Sequence, residues 1–371
     1  MSLKCQTIAS MMDKLAPSKF AKEWDNVGLI VGESSKDVSK VLVALDATFE
    51  VVEEAIEKNV DMIITHHPLI FKPIKNIRTD NPIGYLLTQL IRHNISLYSA
   101  HTSFDIASNG MNDILSNVLG INDTEVLDVT YKENYKKIAV YVPQGYEEIV
   151  KNAMCNIGAG FIGNYSDCTF QTTGIGSFKP LEGTDPFIGE IGKVEKTPEV
   201  KVETVVPERL LNKVINAMIN VHPYEEVAYD VYGLENEGEK YGLGRIGYIK
   251  EMTLKDLAEQ VKVKLKIPNL RVVGELKRLV NKVAVCGGSG AELITKAAYK
   301  GADVLITADI GYHDAVDAKH LGLSIIDAGH FGTENIAVRF IAEYIIDEVQ
   351  KKEDDLEVIV SEKQKDPFIF L

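Results

Sequence analysis

Val60–Ile70 reads V-D-M-I-I-T-H-H-P-L-I. Its first five residues, Val60 to Ile64, predict a buried strand, because four of the five are apolar and Met62–Ile64 run on without polar alternation, as suits a strand covered on both faces. Thr65 ends the strand, and His66 and His67 follow at its C-terminal end. Pro68 stops a helix from starting there. The strand therefore delivers two imidazoles to one loop, a good beginning for a metal site.

Outward from this stretch, Lys40–Asp46 (K-V-L-V-A-L-D) predicts a second apolar strand and Phe49–Lys58 a helix between the two. Strand, helix and strand at this spacing form a βαβ unit with parallel strands. A helix over Ile83–His93, a strand over Ile95–Ser99, the run H-T-S-F-D at 101–105 and a helix around Asn112–Leu115 come next. Upstream, Ile8, Met11, Met12 and Leu15 have helical spacing, and Pro17 closes that run. W-D-N-V-G-L at 24–29 predicts a packed Trp24 and a turn into a strand at Leu29–Val31.

Past residue 130 the pattern changes. Tyr135–Val142, Cys168–Thr173, Val200–Val206 and Glu226–Tyr232 read as strands, with helices over Gln144–Asn156 and Glu208–Asn220. That order is that of a ferredoxin-like sandwich of about 100 residues. Three segments follow: a first α/β lobe at 1–130, an inserted α+β domain at 131–240, and a second α/β lobe at 241–371. In the last of these, Gly242–Lys250 and Leu270–Val273 predict strands and Leu254–Leu265 a helix. V-A-V-C-G-G at 283–288 then lies over V-L-V-A-L-D at 41–46, and D-V-L-I-T at 303–307 over D-M-I-I-T at 61–65, at one constant offset of 242 residues. This is an internal duplication, hence two pseudo-symmetric lobes. His66 and His67 fall on Ala308 and Asp309; S-L-Y-S-A-H at 96–101 resembles I-I-D-A-G-H at 325–330.

Each half offers polar groups at a strand end and a His four residues before a carboxylate: His101/Asp105 and His330/Glu334. Functional groups collect at the C-terminal ends of parallel strands, so His66, His67, Asp105, His330 and Glu334 are the candidate metal ligands. Imidazoles with carboxylates suit two divalent ions about 3.5–4 Å apart. Mixed nitrogen and oxygen donors suit zinc, iron, manganese or nickel better than calcium. Thr333 or a neighbour is expected to cap the helix that carries Glu334. His101 can ligate, orient a ligand or carry protons. Tyr312, His313 and Asp309 are either substrate contacts or a polar turn. His93, His222 and His320 read as hydrogen-bonded core residues. G-G-S-G at 287–290 reads as a tight turn rather than an anion site, and H-P-Y-E-E at 222–226 as strand-edge packing.

The composition sets the outer bounds. The chain has 371 residues, 45% hydrophobic and 25% charged, with a formal net charge of −14. No long basic run exists, which disfavours nucleic acid and anionic membranes as partners. No stretch approaches the roughly 20 apolar residues of a membrane span, and the N-terminal residues lack a secretory apolar core. Four cysteines, at 5, 155, 168 and 286, form no C-x-x-C, which fits a reducing cytoplasm.

W-D-N-V-G-L at 24–29, I-I-T-H-H-P at 63–68, H-T-S-F-D with G-M-N-D at 101–113, L-I-T-A-D-I-G-Y-H-D at 305–314 and I-D-A-G-H-F-G-T-E at 326–334 together resemble the GTP cyclohydrolase 1 type 2 homologues, also called Nif-three-like proteins. The insert, with H-P-Y-E-E-V-A-Y-D-V-Y, resembles the PII/CutA-like domain of the longer bacterial members. One departure is T-A-D at 307–309, where the family pattern is closer to T-G-D. The resemblance implies two α/β lobes around a dinuclear metal site, ligands at His66, His67, Asp105, His330 and Glu334, and a toroidal homohexamer. A metal-dependent hydrolase of a nucleotide-like substrate such as GTP follows, with His101 or His313 carrying protons. The alternative is a non-catalytic metal-binding or regulatory protein, storing or delivering metal and sensing a ligand through the insert.

Overall fold

In the computed structural model, which describes residues 2–352 and 354–369, Lys40–Ala44, Met62–Thr65 and Ser96–Ser99 are adjacent parallel strands. Val41–Ala44 and every residue of the other two are buried, which is why they read as runs rather than alternations. Helices Phe49–Glu57 and Pro82–Arg92 connect them. Thr48 caps the first by accepting from the Val51 N–H, and Asn81 caps the second by accepting from the Gly84 N–H, with Pro82 in the first turn. Gly28–Val31 pairs antiparallel with Ser96–Ser99, and Glu357–Val360 pairs parallel with Lys40–Ala44, completing a five-stranded sheet.

A six-stranded sheet runs in the order Arg271–Val273, Ser324–Asp327, Val304–Ala308, Leu279–Ser289, Lys240–Thr253, Asn122–Lys132. Its three middle strands from Ser324–Asp327 to Leu279–Ser289 are parallel, with Val283 opposite Val304 and Val304 opposite Ser324. An antiparallel strand flanks Ser324–Asp327, as one flanks Ser96–Ser99 in the first sheet. Helices Cys5–Leu15 and Ile336–Gln350 share one core: Ile8, Met12 and Leu15 join Val338, Ile341 and Ile345 against Val41, Val43, Met62 and Ile64.

Residues Lys132–Lys240 are a compact unit separate from Met1–Tyr131 with Tyr241–Leu371. Its strands lie in the order Tyr229–Leu234, Tyr135–Pro143, Glu195–Pro207, Thr169–Phe178, with every neighbour antiparallel. Helices Glu147–Asn156 and Leu211–Val221 cover one face, burying Val150, Met154, Val214 and Met218 on Ile138, Val140, Val200 and Val202. Among the described residues no helix is long and apolar enough to cross a membrane.

Four local expectations are corrected. Trp24 is 56% exposed rather than packed, because Asp25 turns inward and leaves the indole outside. Thr333 does not cap a helix. The helix His330–Glu334 begins after Gly329, whose φ of 77° suits glycine, and Thr333 lies inside it. His93 and His320 are exposed at helix C-terminal ends rather than in the core.

Candidate metal centre

His66 and His67 follow the Met62–Thr65 strand. The Thr65 hydroxyl donates to the His67 carbonyl at 2.8 Å and lies 2.9 Å from Ser99 Oγ, which fixes the bend. His101 precedes the short helix Thr102–Ile106, which carries Asp105. His330 and Glu334 are the ends of their five-residue helix, and the four-residue spacing puts them on one face.

Each imidazole is gripped through Nδ1. His66 Nδ1–H donates to the Ala100 carbonyl at 2.8 Å, His67 to Asp46 at 2.8 Å, His101 to Asp25 at 2.9 Å and His330 to Asp309 at 2.6 Å. A carbonyl or carboxylate only accepts, so Nδ1 carries the proton and Nε2 of the neutral ring is left with its lone pair. Three of those Nε2 atoms meet two carboxylates. Glu334 Oε2 is 3.0 Å from His67 Nε2 and 2.9 Å from His330 Nε2, and these two nitrogens are 3.2 Å apart. His66 Nε2 is 3.6 Å from Asp105 Oδ1 and 3.7 Å from Glu334 Oε1.

This is a meeting of acceptors. With the imidazoles neutral, His66 Nε2, Asp105 Oδ1 and Glu334 Oε2 are buried without a hydrogen-bond partner, a costly state unless positive charge is supplied. Without a metal the rings take up protons. Burial opposes charge on His67, yet hydrogen bonds to Asp46 and Glu334 raise its pKa to about 10. At His330 the hydrogen bond to Glu334 dominates and raises it to about 9. Burial likewise works against charge on His66, and the charges of Asp105 and Glu334 overcome it and raise the pKa. For Glu334 burial pushes upward, but the His66 charge and the bonds to the three imidazoles hold it well below the usual carboxylate range. Asp105 is pushed up, chiefly by burial.

A metal ion would satisfy the same atoms. Two groups, His66/His67/His101 and His67/His330/Glu334, each keep their ligand atoms within 4.8 Å of one another. Bonds of about 2.0–2.1 Å around a zinc-like ion separate neighbouring ligands by about 3 Å, close to the spacing seen at Glu334, His67 and His330. Gly288 makes room: at φ 60° a Cβ there would overlap Glu334 Oε1 and come within 3.1 Å of His330 Nε2. Its N–H donates to Thr333 Oγ1 at 3.0 Å, and the Thr307 hydroxyl donates to its carbonyl at 3.0 Å.

His67, His101, Asp105, His330 and Glu334 line a cavity of about 570 Å³. Trp24 and Phe71, 56% and 47% exposed, stand at its wall with ring centroids 5.4 Å apart, and lie 6.0 and 6.3 Å from the His101 ring. Lys22 lines it too. His313 is not brought to this group: it is exposed, with its ring against Tyr312. His222 is a core residue. Its Nε2–H donates to the Tyr141 carbonyl at 3.1 Å, and its Nδ1 accepts from the Tyr224 N–H at 3.1 Å. Sequence reasoning missed Asp25, Asp46, Trp24 and Phe71 as parts of the site. Only Asp46 carried a usable signal, as the polar residue that closes an apolar parallel strand.

A family model described as Duf34/NIF3 (NGG1p interacting factor 3) matches residues 3–367. A Bacillus subtilis (strain 168) protein named GTP cyclohydrolase 1 type 2 homolog is 47% identical over 371 residues, covering all of this chain and 99% of that protein. The solved structure of a Bacillus cereus protein related to NIF3 superposes over the full length of both chains with TM-score 0.94 at 45% identity. Staphylococcus aureus protein SA1388 does so over all of this chain and 99% of its own, with TM-score 0.81 at 31% identity.

Proposed function

The chain belongs to the Duf34/NIF3 family, and on that premise we propose that it is a dinuclear metal-dependent hydrolase acting on a nucleotide-like substrate. The observation that carries this reading is the convergence of buried, partnerless acceptors, His66 Nε2, Asp105 Oδ1 and Glu334 Oε2, beside the Nε2 atoms of His67 and His330. His66, His67, Asp105, His330 and Glu334 would hold two divalent ions per subunit, and the mixed nitrogen and oxygen donors favour zinc, iron, manganese or nickel. Ions held there supply Lewis acidity, acidifying water and polarising the electrophile. Glu334, between His67 and His330, would offset the charge of divalent ions held there. His101, oriented through Nδ1 by Asp25, keeps Nε2 free to move a proton.

The cavity wall supports the substrate class. Trp24 and Phe71 offer aromatic faces for a base, and Lys22 a charge for a phosphate. The name of the Bacillus subtilis relative makes GTP the first nucleotide to try. The 242-residue offset supports two pseudo-symmetric lobes. The strand order of Lys132–Lys240 supports an inserted ferredoxin-like domain, as do the Tyr131 and Tyr241 rings on either side of it, 5.9 Å apart. Assembly as a toroidal homohexamer in the cytoplasm rests on the family resemblance.

The test compares metal content and GTP hydrolysis of wild type with His66→Ala and Glu334→Ala. Two ions per subunit and turnover in wild type, with both lost in the variants, is the expected result. Equal rates in all three proteins would mean that the turnover is contamination and would remove GTP as substrate.

A further inference from the structure

A second cavity, of about 410 Å³, lies wholly within Lys132–Lys240. Phe178, Phe187 and Tyr224 line it, with centroids 5.8 Å apart for Phe178–Tyr224 and 6.3 Å for Phe187–Tyr224. Glu199 joins them from the Glu195–Pro207 strand. The neighbouring strand, Thr169–Phe178, contributes Gly176, where a Cβ would overlap the Glu199 carboxylate. That absence of a side chain is what admits Glu199 to the wall.

Glu199 is only 9% exposed. It accepts one hydrogen bond, from the Tyr224 hydroxyl at 3.1 Å, and makes no ion pair among the described residues. Burial, with the Glu199 charge beside it, pushes the Tyr224 phenol up to about 12, so it remains a donor. His222 holds the Tyr224 backbone in place. Glu225 accepts from the Asp185 N–H at 2.9 Å, which ties down the segment bearing Phe187. Lys179, the cation on the lining, is exposed, and the lining carries three carboxylates, Glu199, Glu225 and Glu226.

A buried carboxylate with a single neutral donor retains most of its desolvation cost, and a cation relieves it. Aromatic faces attract cations as well. No imidazole or thiol lines the cavity, and of its three carboxylates only Glu199 is buried; one buried carboxylate among three rings suits an organic cation better than a hydrated metal ion, which needs several oxygen donors. We propose that this cavity binds a small organic monocation, an alkylammonium or guanidinium, with its charged head against Glu199 and its apolar stem against Phe178, Phe187 and Tyr224. The site is independent of the metal centre.

Ligand-observed NMR titration of the full-length protein with n-butylammonium and n-butylguanidinium tests it, with 1-butanol and butyrate as matched controls. Wild type is expected to bind both cations saturably, with Kd on the order of a millimolar for ligands this small, and neither control. Glu199→Gln, which keeps the volume, should weaken the cations at least tenfold. Phe187→Ala removes a half-exposed ring and should weaken them similarly, so the test stands even where Glu199→Gln folds poorly. Absence of saturable binding by wild type, equal affinity in both variants, or equal binding of 1-butanol would overturn the proposal.

Discussion

The Asp25 side chain is fully buried and accepts from His101 Nδ1–H at 2.9 Å, the Thr102 N–H at 3.0 Å and the Thr102 hydroxyl at 2.5 Å. Burial acts to raise its pKa, but the bonds from His101 and Thr102 pull it down to about 2, so it is a carboxylate at any working pH. It determines which nitrogen of His101 faces the cavity. Asp25→Ala is expected to cut turnover about 10–100-fold, the usual cost of losing a partner that orients a functional imidazole, with metal content unchanged. Loss of metal in this variant would make His101 a ligand and sink its role as proton carrier. The contrast in legibility lies here. His66 and His67 were legible as candidates from their place at the end of an apolar strand, and Asp105, His330 and Glu334 from the four-residue step from His to carboxylate that 101–105 shares with 330–334. Asp25, Asp46 and the Ala100 carbonyl act by contact across 76, 21 and 34 residues, and no spacing rule encodes such contacts. Trp24 was misread for a related reason: residue type favours burial, whereas its exposure follows from where its neighbour Asp25 turns.

At the scale of elements, the five-residue helix His330–Glu334 is far too short to persist alone. It is held by the strand turn at Gly288. The Thr333 hydroxyl accepts from the Gly288 N–H at 3.0 Å, and Thr333 is fully buried. Thr333→Val keeps the shape but leaves that N–H unsatisfied, which costs about 1–3 kcal/mol. Urea unfolding should detect that loss, and Thr333→Ser should recover most of it. A Val variant as stable as wild type would show that the hydroxyl does not couple the two elements. Elements buried on both sides were the legible ones: Met62–Thr65 and Val304–Ala308 are buried at every position and read as apolar runs. Asn122–Lys132 escaped notice because only Leu127 in it is fully buried. Glu357–Val360 escaped it because four residues at a sheet edge, two of them exposed and none buried, give almost no pattern. Such strands are specified by the partner they pair with more than by their own sequence.

For the whole molecule, the imidazoles of the candidate metal centre link stability to pH. The folded pKa values of His67 and His330, about 10 and about 9, lie above the unfolded value of about 6.5. A raised pKa of this kind contributes stability that is fully present below about pH 6.5 and is lost as pH rises through the folded values. Glu334, with its lowered pKa, changes its contribution only at acid pH and is constant across this window. Chelator-treated protein should therefore lose Tm steadily from pH 7 to 9.5. On the proposed function, metal ions would bind the neutral rings and displace the same protons, so the Tm gained on adding metal should grow over the same range. Lysines and tyrosines begin to titrate at the alkaline end, and a His67→Ala, His330→Ala variant separates their effect, since it should show a flatter decline without metal and no pH-dependent metal increment. A chelated wild type whose Tm stays level or rises, or a metal increment that does not change with pH, would mean that protons and metal do not compete for these imidazoles. The convergence of Nε2 atoms on Glu334 would then not be a metal centre, whatever its resemblance to one.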